Sequence, residues 1–313
     1  MMIMINLLNY ILLVIMILIS VAFLTLFERK LLGYIQVRKG PNKNGFNGLF
    51  QPFMDALKLL TKEIFYLSNS LMYLFSPMIM FFLSMILWLI YPWIYKFYSI
   101  DFSIIYLMLI LSLMVYPVMI IGWVSMCNYS ILGSLRSVSQ MISFEILLFM
   151  MFFISMLMIE DYSFFSFVSS QKNISFMFFM YPLYLIFIIS MLIDLNRIPF
   201  DLIEGESELV SGFNLEYFSS LFVLIFLSEY MNIMFMSMIL TVMFFGFNNW
   251  SLIFLLVYMY HLILLIMVRG VLPRIRYDIL MKMCWFELLM FILLYSLFIY
   301  LMKELMMLNF KIL

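Results

Sequence analysis

Apolar runs long enough to cross a membrane recur from one end of this sequence to the other, near residues 2–27, 70–92, 102–126, 137–159, 174–194, 217–245, 251–269 and 284–302. At 1.5 Å per residue, about 20 helical residues span the roughly 30 Å hydrocarbon core of a bilayer. Such a pattern leaves little choice of fold, because backbone polar groups in lipid must be paired within the protein, and single crossing segments pair them as helices. Only 11% of the residues are charged, against about 25% in soluble domains. Mean hydropathy is +1.15. The expectation is an all-α polytopic membrane protein with about eight transmembrane helices, one transmembrane domain over residues 1–313. The first run has no basic leader and no small-residue cleavage site, so it reads as a retained helix.

Eight spans place both termini on one side and the four odd-numbered loops on the other. Those loops hold Arg29, Lys30, Arg38, Lys39, Lys43, Lys58, Lys62, Arg136, Arg197, Arg269, Arg274, Arg276 and Lys282, which is 13 of the 17 basic residues. By the positive-inside rule the odd loops face the cytoplasm or, in a mitochondrion, the matrix. Abundant Phe and Met with only two alanines, Ala22 and Ala56, hint at an AT-rich organellar genome.

Several functions are excluded by what the chain lacks. Its net charge of zero gives no electrostatic reason to bind nucleic acid. Cys127 and Cys284 are the only cysteines and His261 the only histidine, so the chain alone offers no ligand set for an iron–sulfur cluster, zinc or haem. Any redox cofactor must sit elsewhere. Neither a G-x-G-x-x-G nor a phosphate-binding loop is present, and no Ser/His/Asp set suggests itself. His261, inside an apolar run, reads as a hydrogen-bonded interior residue and not a proton carrier.

Within the first loop, residues 44–64 read as an amphipathic interfacial helix. Phe53, Leu57, Leu60 and Ile64 recur at helical steps, Asp55, Lys58 and Lys62 take the other face, and Pro52 suits the first turn. Such a helix either lies in the headgroup zone or roofs an access route for a lipid-soluble ligand.

The anomaly is an acidic loop at residues 195–216 and its flanks, where Asp194, Asp201, Glu204, Glu206, Glu208 and Glu216 face a single base, Arg197. If Pro199 opens a short helix, Asp201, Glu204 and Glu208 share one face, and mutual repulsion raises some of their pKa values. Glu145 lies nine residues past Arg136, about 13 Å along a helix, and Glu229 is similarly deep. Each charge at the bilayer centre costs about 3 kcal/mol, so both acids must face protein or water. One buried acid is often a packing residue; a set of them points to proton handling. Glu216 and Glu229, 13 residues apart, stand about 140° apart around one helix, so a relay between them needs neighbouring helices or water.

Four segments carry a resemblance. They are Glu28-Arg29-Lys30-Leu31-Leu32-Gly33-Tyr34-Ile35-Gln36-Val37-Arg38-Lys39-Gly40-Pro41-Asn42 with the run from Gln51 to Glu63; Leu135-Arg136-Ser137 through Glu145; Arg197-Ile198-Pro199-Phe200-Asp201 through Tyr217; and Pro273-Arg274-Ile275-Arg276-Tyr277-Asp278. In this order and in all four odd loops, they resemble the chain 1 family of mitochondrial NADH:ubiquinone oxidoreductase, respiratory complex I. The resemblance implies a proton-pumping core subunit that forms the ubiquinone tunnel at the junction with the peripheral arm, in the mitochondrial inner membrane, with both termini facing the intermembrane space. It implies ubiquinone as substrate, no covalently bound cofactor, and an iron–sulfur cluster and FMN held only by partner subunits. Partners are the other membrane-arm and peripheral-arm subunits and membrane lipids.

By the same resemblance Arg29, Asp55, Arg197, Phe200, Phe213 and Arg274 line the quinone tunnel or its mouth. Glu145, Asp194, Asp201, Glu204, Glu206, Glu208, Glu216 and Glu229 form the proton or charge relay. Three positions depart from the family pattern: Asp194 stands where Glu is usual, Ile279 where a polar residue is usual, and Phe144 where Tyr is common. Two alternatives stay open. A related ion-pumping hydrogenase subunit shares the acidic loop but uses no quinone. A secondary transporter favours paired repeats and Gly/Pro-interrupted helices, neither evident here.

Overall fold

A computed structural model describes residues 2–63, 71–91, 100–172, 174–201, 212–247 and 251–312. Among the described residues the regular elements are all helical. In chain order the α-helices are α1 (Met2–Ile35), α2 (Gln51–Leu60), α3 (Met72–Leu87), α4 (Ser103–Val124), α5 (Asn128–Ile159), α6 (Phe164–Ser170), α7 (Phe176–Phe179), α8 (Tyr181–Asp194), α9 (Ser219–Phe245), α10 (Leu252–Val271), α11 (Tyr277–Lys282) and α12 (Leu289–Ile312). A π-helical stretch, Met283–Leu288, joins the last two into one continuous span.

Seven described spans are long and apolar enough to cross a membrane. The expected fifth is different. Its apolar run is broken at Met180, whose φ of −115° and ψ of 38° are not helical, and helix resumes with Pro182 in the first turn of α8. Proline has no N–H to continue the preceding turn, so a helix start suits it and a helix interior does not. The 14 residues of α8 reach about 21 Å, short of a full crossing. Among the described residues the bundle therefore has seven such spans plus a shorter apolar helix.

Other boundaries also move. Helix α1 runs on to Ile35, so Glu28, Arg29 and Lys30 are helical and not part of a loop. Helix α5 begins at Asn128, which puts Arg136 on the helix. The amphipathic helix forms as α2, with Pro52 in its first turn. Phe53, Leu57 and Leu60 stay exposed on its surface, and the Phe53 ring meets Phe23 of α1 edge-on at 5.9 Å. Ile64 lies outside the described residues.

Helix α9 is the centre of the bundle: 67% of its most apolar stretch is buried, against 17% for the C-terminal span. Helices α1, α3 and α10 pack around it, and α4 packs between α3 and α5. Lipid is as apolar as leucine, so these helices gain little from burying one another's side chains and rely on close fit. At the α4–α5 crossing Gly122 lies against Ser130 and Ser134, and a methyl group on it would run into the Ser134 side chain. His261 of α10 is wholly buried and bonded at both ring nitrogens, Nδ1 to the Val257 carbonyl at 2.8 Å and Nε2 to the Tyr184 hydroxyl at 3.0 Å. A carbonyl accepts only, so Nδ1 carries the proton and Nε2 accepts from Tyr184.

Candidate functional site

The end of α8 is where the sequence builds a site. Asn196 has a φ of 51°, the left-handed conformation that asparagine tolerates better than most residues. Its N–H donates to the Ile193 carbonyl at 3.0 Å, and the Arg197 N–H to the Leu192 carbonyl at 3.1 Å. This pair of bonds is the Schellman stop, which satisfies the last carbonyls of a helix and turns the chain sharply. The turn carries Asp194, Asn196 and Arg197 onto the wall of an internal cavity, with Asp201 following.

Across from them Glu229, Asn232 and Met236 of α9, Arg269 of α10 and Phe213 complete the lining, while Met80, Met114 and Met141 supply apolar walls. Counted over positions that a water centre can occupy, the cavity holds about 60 Å³. That is room for ordered water among polar groups that can bind it.

Beside the cavity lies a buried ionic cluster. Glu28 of α1, only 5% exposed, forms an ion pair with Arg269, accepts a hydrogen bond from the Tyr230 hydroxyl at 2.5 Å, and lies 3.7 Å from Arg197. The Arg197 guanidinium also sits over the Tyr230 ring, 4.6 Å from its centre. Burial alone would weaken its hold on a proton, but Tyr230, Glu28 and Glu229 more than offset this and keep its pKa above the ordinary guanidinium range. Arg197 is a fixed positive charge. On the loop side, buried Asp201 lies 3.8 Å from Arg274.

Other expected residues are placed elsewhere. Arg29 and Asp55 pair at 2.5 Å on the surface between α1 and α2, where Gln51 also donates to Asp55 at 2.8 Å. Phe200 is buried in the core and does not border the cavity. Glu216 precedes α9 and is not on it, so its assumed angular relation to Glu229 on one helix does not apply. It lies instead in a Tyr pocket: the Tyr73 hydroxyl donates to its carbonyl at 2.7 Å, and the Tyr73 and Tyr217 rings stack 4.5 Å apart. Burial pushes the Tyr217 hydroxyl up, a hydrogen bond to Ser76 opposes this, and Tyr73 and Glu216 add to it, giving a pKa of about 12.

Glu145 is half-exposed and borders an open groove between α4 and α5 with Ile105, Ser112 and Phe149. It does not border the cavity, although Asp194 is within range of its charge. Pro199 opens no helix as far as Asp201. Glu204, Glu206 and Glu208 lie outside the described residues.

Sequence reasoning passed over Glu28, Arg269 and Tyr230 as site residues, and also Gln140, Asn196 and Asn232. The signal for Gln140, Tyr230 and Asn232 is a polar group inside an apolar run, and for Glu28, Asn196 and Arg269 a polar residue at the edge of one; neither says which way the side chain faces.

Comparison with known proteins gives a consistent result. A family model described as NADH dehydrogenase matches residues 8–300. NADH-ubiquinone oxidoreductase chain 1 of Apis mellifera ligustica is 60% identical over 298 residues, which cover 95% of this chain and 98% of that protein. Proteins of the same name from Anopheles gambiae and Aedes aegypti are 49% and 47% identical, covering 89% and 90% of this chain and 90% of each relative.

Proposed function

The chain belongs to the NADH dehydrogenase family, as a membrane subunit of NADH-ubiquinone oxidoreductase, and from that premise we propose that it forms the ubiquinone access tunnel and couples quinone reduction to proton movement through its buried acids. The observation that carries this reading is the water-sized cavity inside an apolar bundle, bordered by Asp194, Asp201 and Glu229 and by two guanidiniums. Charges so placed are costly unless they have partners or water, and they mark ion or proton pathways.

Reduction of a quinone to a quinol takes two electrons and two protons. In this reading the electrons come from an iron–sulfur cluster in a peripheral-arm partner, fed by NADH through FMN in another. The quinone ring approaches from the loop side, past Arg29 and Asp55 toward Arg274, Asp201 and Phe213. The reduced quinone draws protons from that side, and the waters and acids of the cavity pass the demand inward. Phe200 supports the turn as packing, and Glu216 stands at the rim beside Tyr73 and Tyr217.

Glu145 completes the outward end. An acid facing an open groove at this depth needs cover, so another membrane-arm subunit packs against α4 and α5 there. With the broken α7–α8 run making the remaining crossing, the basic odd loops face the matrix of the mitochondrion and both termini the intermembrane side, and the exposed apolar face of α2 lies in the headgroup zone of the inner membrane.

The test uses the assembled oxidoreductase carrying Asp194→Asn or Glu229→Gln, measuring NADH:ubiquinone turnover and proton pumping together. Loss of pumping or of turnover in both variants supports the relay. Wild-type rate and pumping in both would remove these acids from the mechanism.

A further inference from the structure

The turn that brings Asp194, Asn196 and Arg197 to the cavity is gripped at both ends by one side chain from another helix. Gln140 of α5 is wholly buried, and its Nε2 donates to the Ile193 carbonyl at 3.1 Å and to the Phe200 carbonyl at 3.2 Å. The orientation of the amide is decided by chemistry: an oxygen in that place would face two carbonyl oxygens, so the NH₂ group must occupy it. Both donors are thereby used, one at each end of the turn.

Among the described residues Gln140 Oε1 has no hydrogen-bond partner, so the amide serves here through its two donors, which leucine or methionine of similar size would not supply. Packing alone therefore does not account for an amide here. Among the described residues the turn's backbone bonds are local or run to the segment before α11, namely the Schellman pair, Phe200 N–H to the Arg197 carbonyl at 2.8 Å, and Ile275 N–H to the Pro199 carbonyl at 3.0 Å, while the Arg197 side chain reaches Glu28 of α1 and Tyr230 of α9. The backbone bonds shape the turn and tie it to the segment before α11, and among the described residues none of them reaches α5. Gln140 supplies that link, on the same helix that presents Glu145 to the outer groove five residues later.

We propose that Gln140 is a positioning residue, a two-pronged clasp that holds the Ile193–Phe200 turn so that Asp194 and Arg197 stay on the cavity wall. It touches neither substrate nor the moving proton and acts through the turn. The proposal rests on the reading that the cavity acids handle protons. The charged groups that face the cavity with the turn are Asp194, Arg197, Asp201, Glu229 and Arg269, contributed by the turn, α9 and α10.

The test compares Gln140→Leu and Gln140→Glu in the assembled oxidoreductase. Leucine keeps the volume and loses both donors; a protonated glutamate keeps one. NADH oxidation with a hydrophilic acceptor that takes electrons ahead of quinone counts intact complexes, and each ubiquinone rate is divided by that count. A displacement of about 1 Å in a site costs about 100-fold in rate, so Gln140→Leu is expected to fall by one to two orders of magnitude per intact complex, with Gln140→Glu between it and wild type. The pH profile of turnover moves in the same order, which a merely structural role would not produce.

Wild-type turnover and pH profile per intact complex in Gln140→Leu would overturn the proposal. If Gln140→Leu does not assemble, the same result in Gln140→Glu overturns it. Asp194→Asn and Glu229→Gln run in parallel separate the two readings: if these are impaired while the Gln140 variants are not, only the clasp falls, and if these behave as wild type, the relay itself falls.

Discussion

Glu28 and Arg29 are neighbours in sequence and opposite in energetic role, which makes a sharp experiment. The Glu28 side chain is 6% exposed and faces Arg269, Arg197 and the Tyr230 hydroxyl. The Arg29–Asp55 pair is 50% and 35% exposed. Glu28→Gln preserves shape and leaves an oxygen for Tyr230 to donate to, so what is lost is the charge, with two guanidiniums left facing an amide. Breaking a buried pair by removing one partner costs about 3–5 kcal/mol. An exposed pair contributes about 0–1 kcal/mol, so Arg29→Ala costs at most about that much. The assay is thermal inactivation of the detergent-solubilised complex at fixed temperature. A 3 kcal/mol loss of kinetic stability corresponds to roughly 100-fold faster decay, and 1 kcal/mol to about fivefold. Adding Arg269→Gln to Glu28→Gln should recover part of the loss, because one unpaired buried charge is then removed. Decay rates for Glu28→Gln and Arg29→Ala within about fivefold of each other, with no recovery in the double variant, would refute the reasoning.

Gly122→Leu should prevent α4 from reaching α5 and reduce assembled complex sharply, since overpacking a tight contact costs about 1–3 kcal/mol or more; normal assembly by native electrophoresis would contradict the close-fit account. Tyr217 has a folded pKa near 12 against an ordinary 10.0, so its contribution to stability is whole below pH 10 and is lost as pH rises through 12. The tyrosinate absorbance difference between wild type and Tyr217→Phe should accordingly appear near pH 12, and a step near pH 10 would mean that Tyr217 is solvated. Arg274→Ala, which removes the guanidinium 3.8 Å from Asp201, is expected to raise KM for ubiquinone several-fold with kcat within about twofold, the pattern of lost ground-state binding. An unchanged KM with a lower kcat would place Arg274 in the chemical step instead.

The helices were legible because length and apolarity are local properties, and seven of the eight expected runs survive as spans. The break at Met180 was not, since the residues around it are apolar like the rest of the run and the stop depends on how Pro182 starts the next helix. Asp194, Arg197, Asp201 and Glu229 stood out as costly charges, and the structure does bring them to one cavity. Glu28 escaped notice because its partners are Tyr230 and Arg269, 202 and 241 residues away in sequence. Glu145 shows the complementary limit. Its depth could be counted from Arg136, but whether it turned inward or outward depends on the rotation of α5 against α4, which no local pattern encodes.

Glu28 and Asp194 are both acids beside the cavity, and their surroundings set them apart. Glu28 touches two guanidiniums, whereas Asp194 borders the water-sized cavity and feels the like charge of Glu145. Asp194→Asn should therefore leave the thermal inactivation rate within about fivefold of wild type, an effect of 1 kcal/mol or less, while abolishing the exchangeable proton and with it pumping. If Asp194→Asn instead destabilises the complex as strongly as Glu28→Gln, the Asp194 carboxyl is a structural group and not one held for proton transfer.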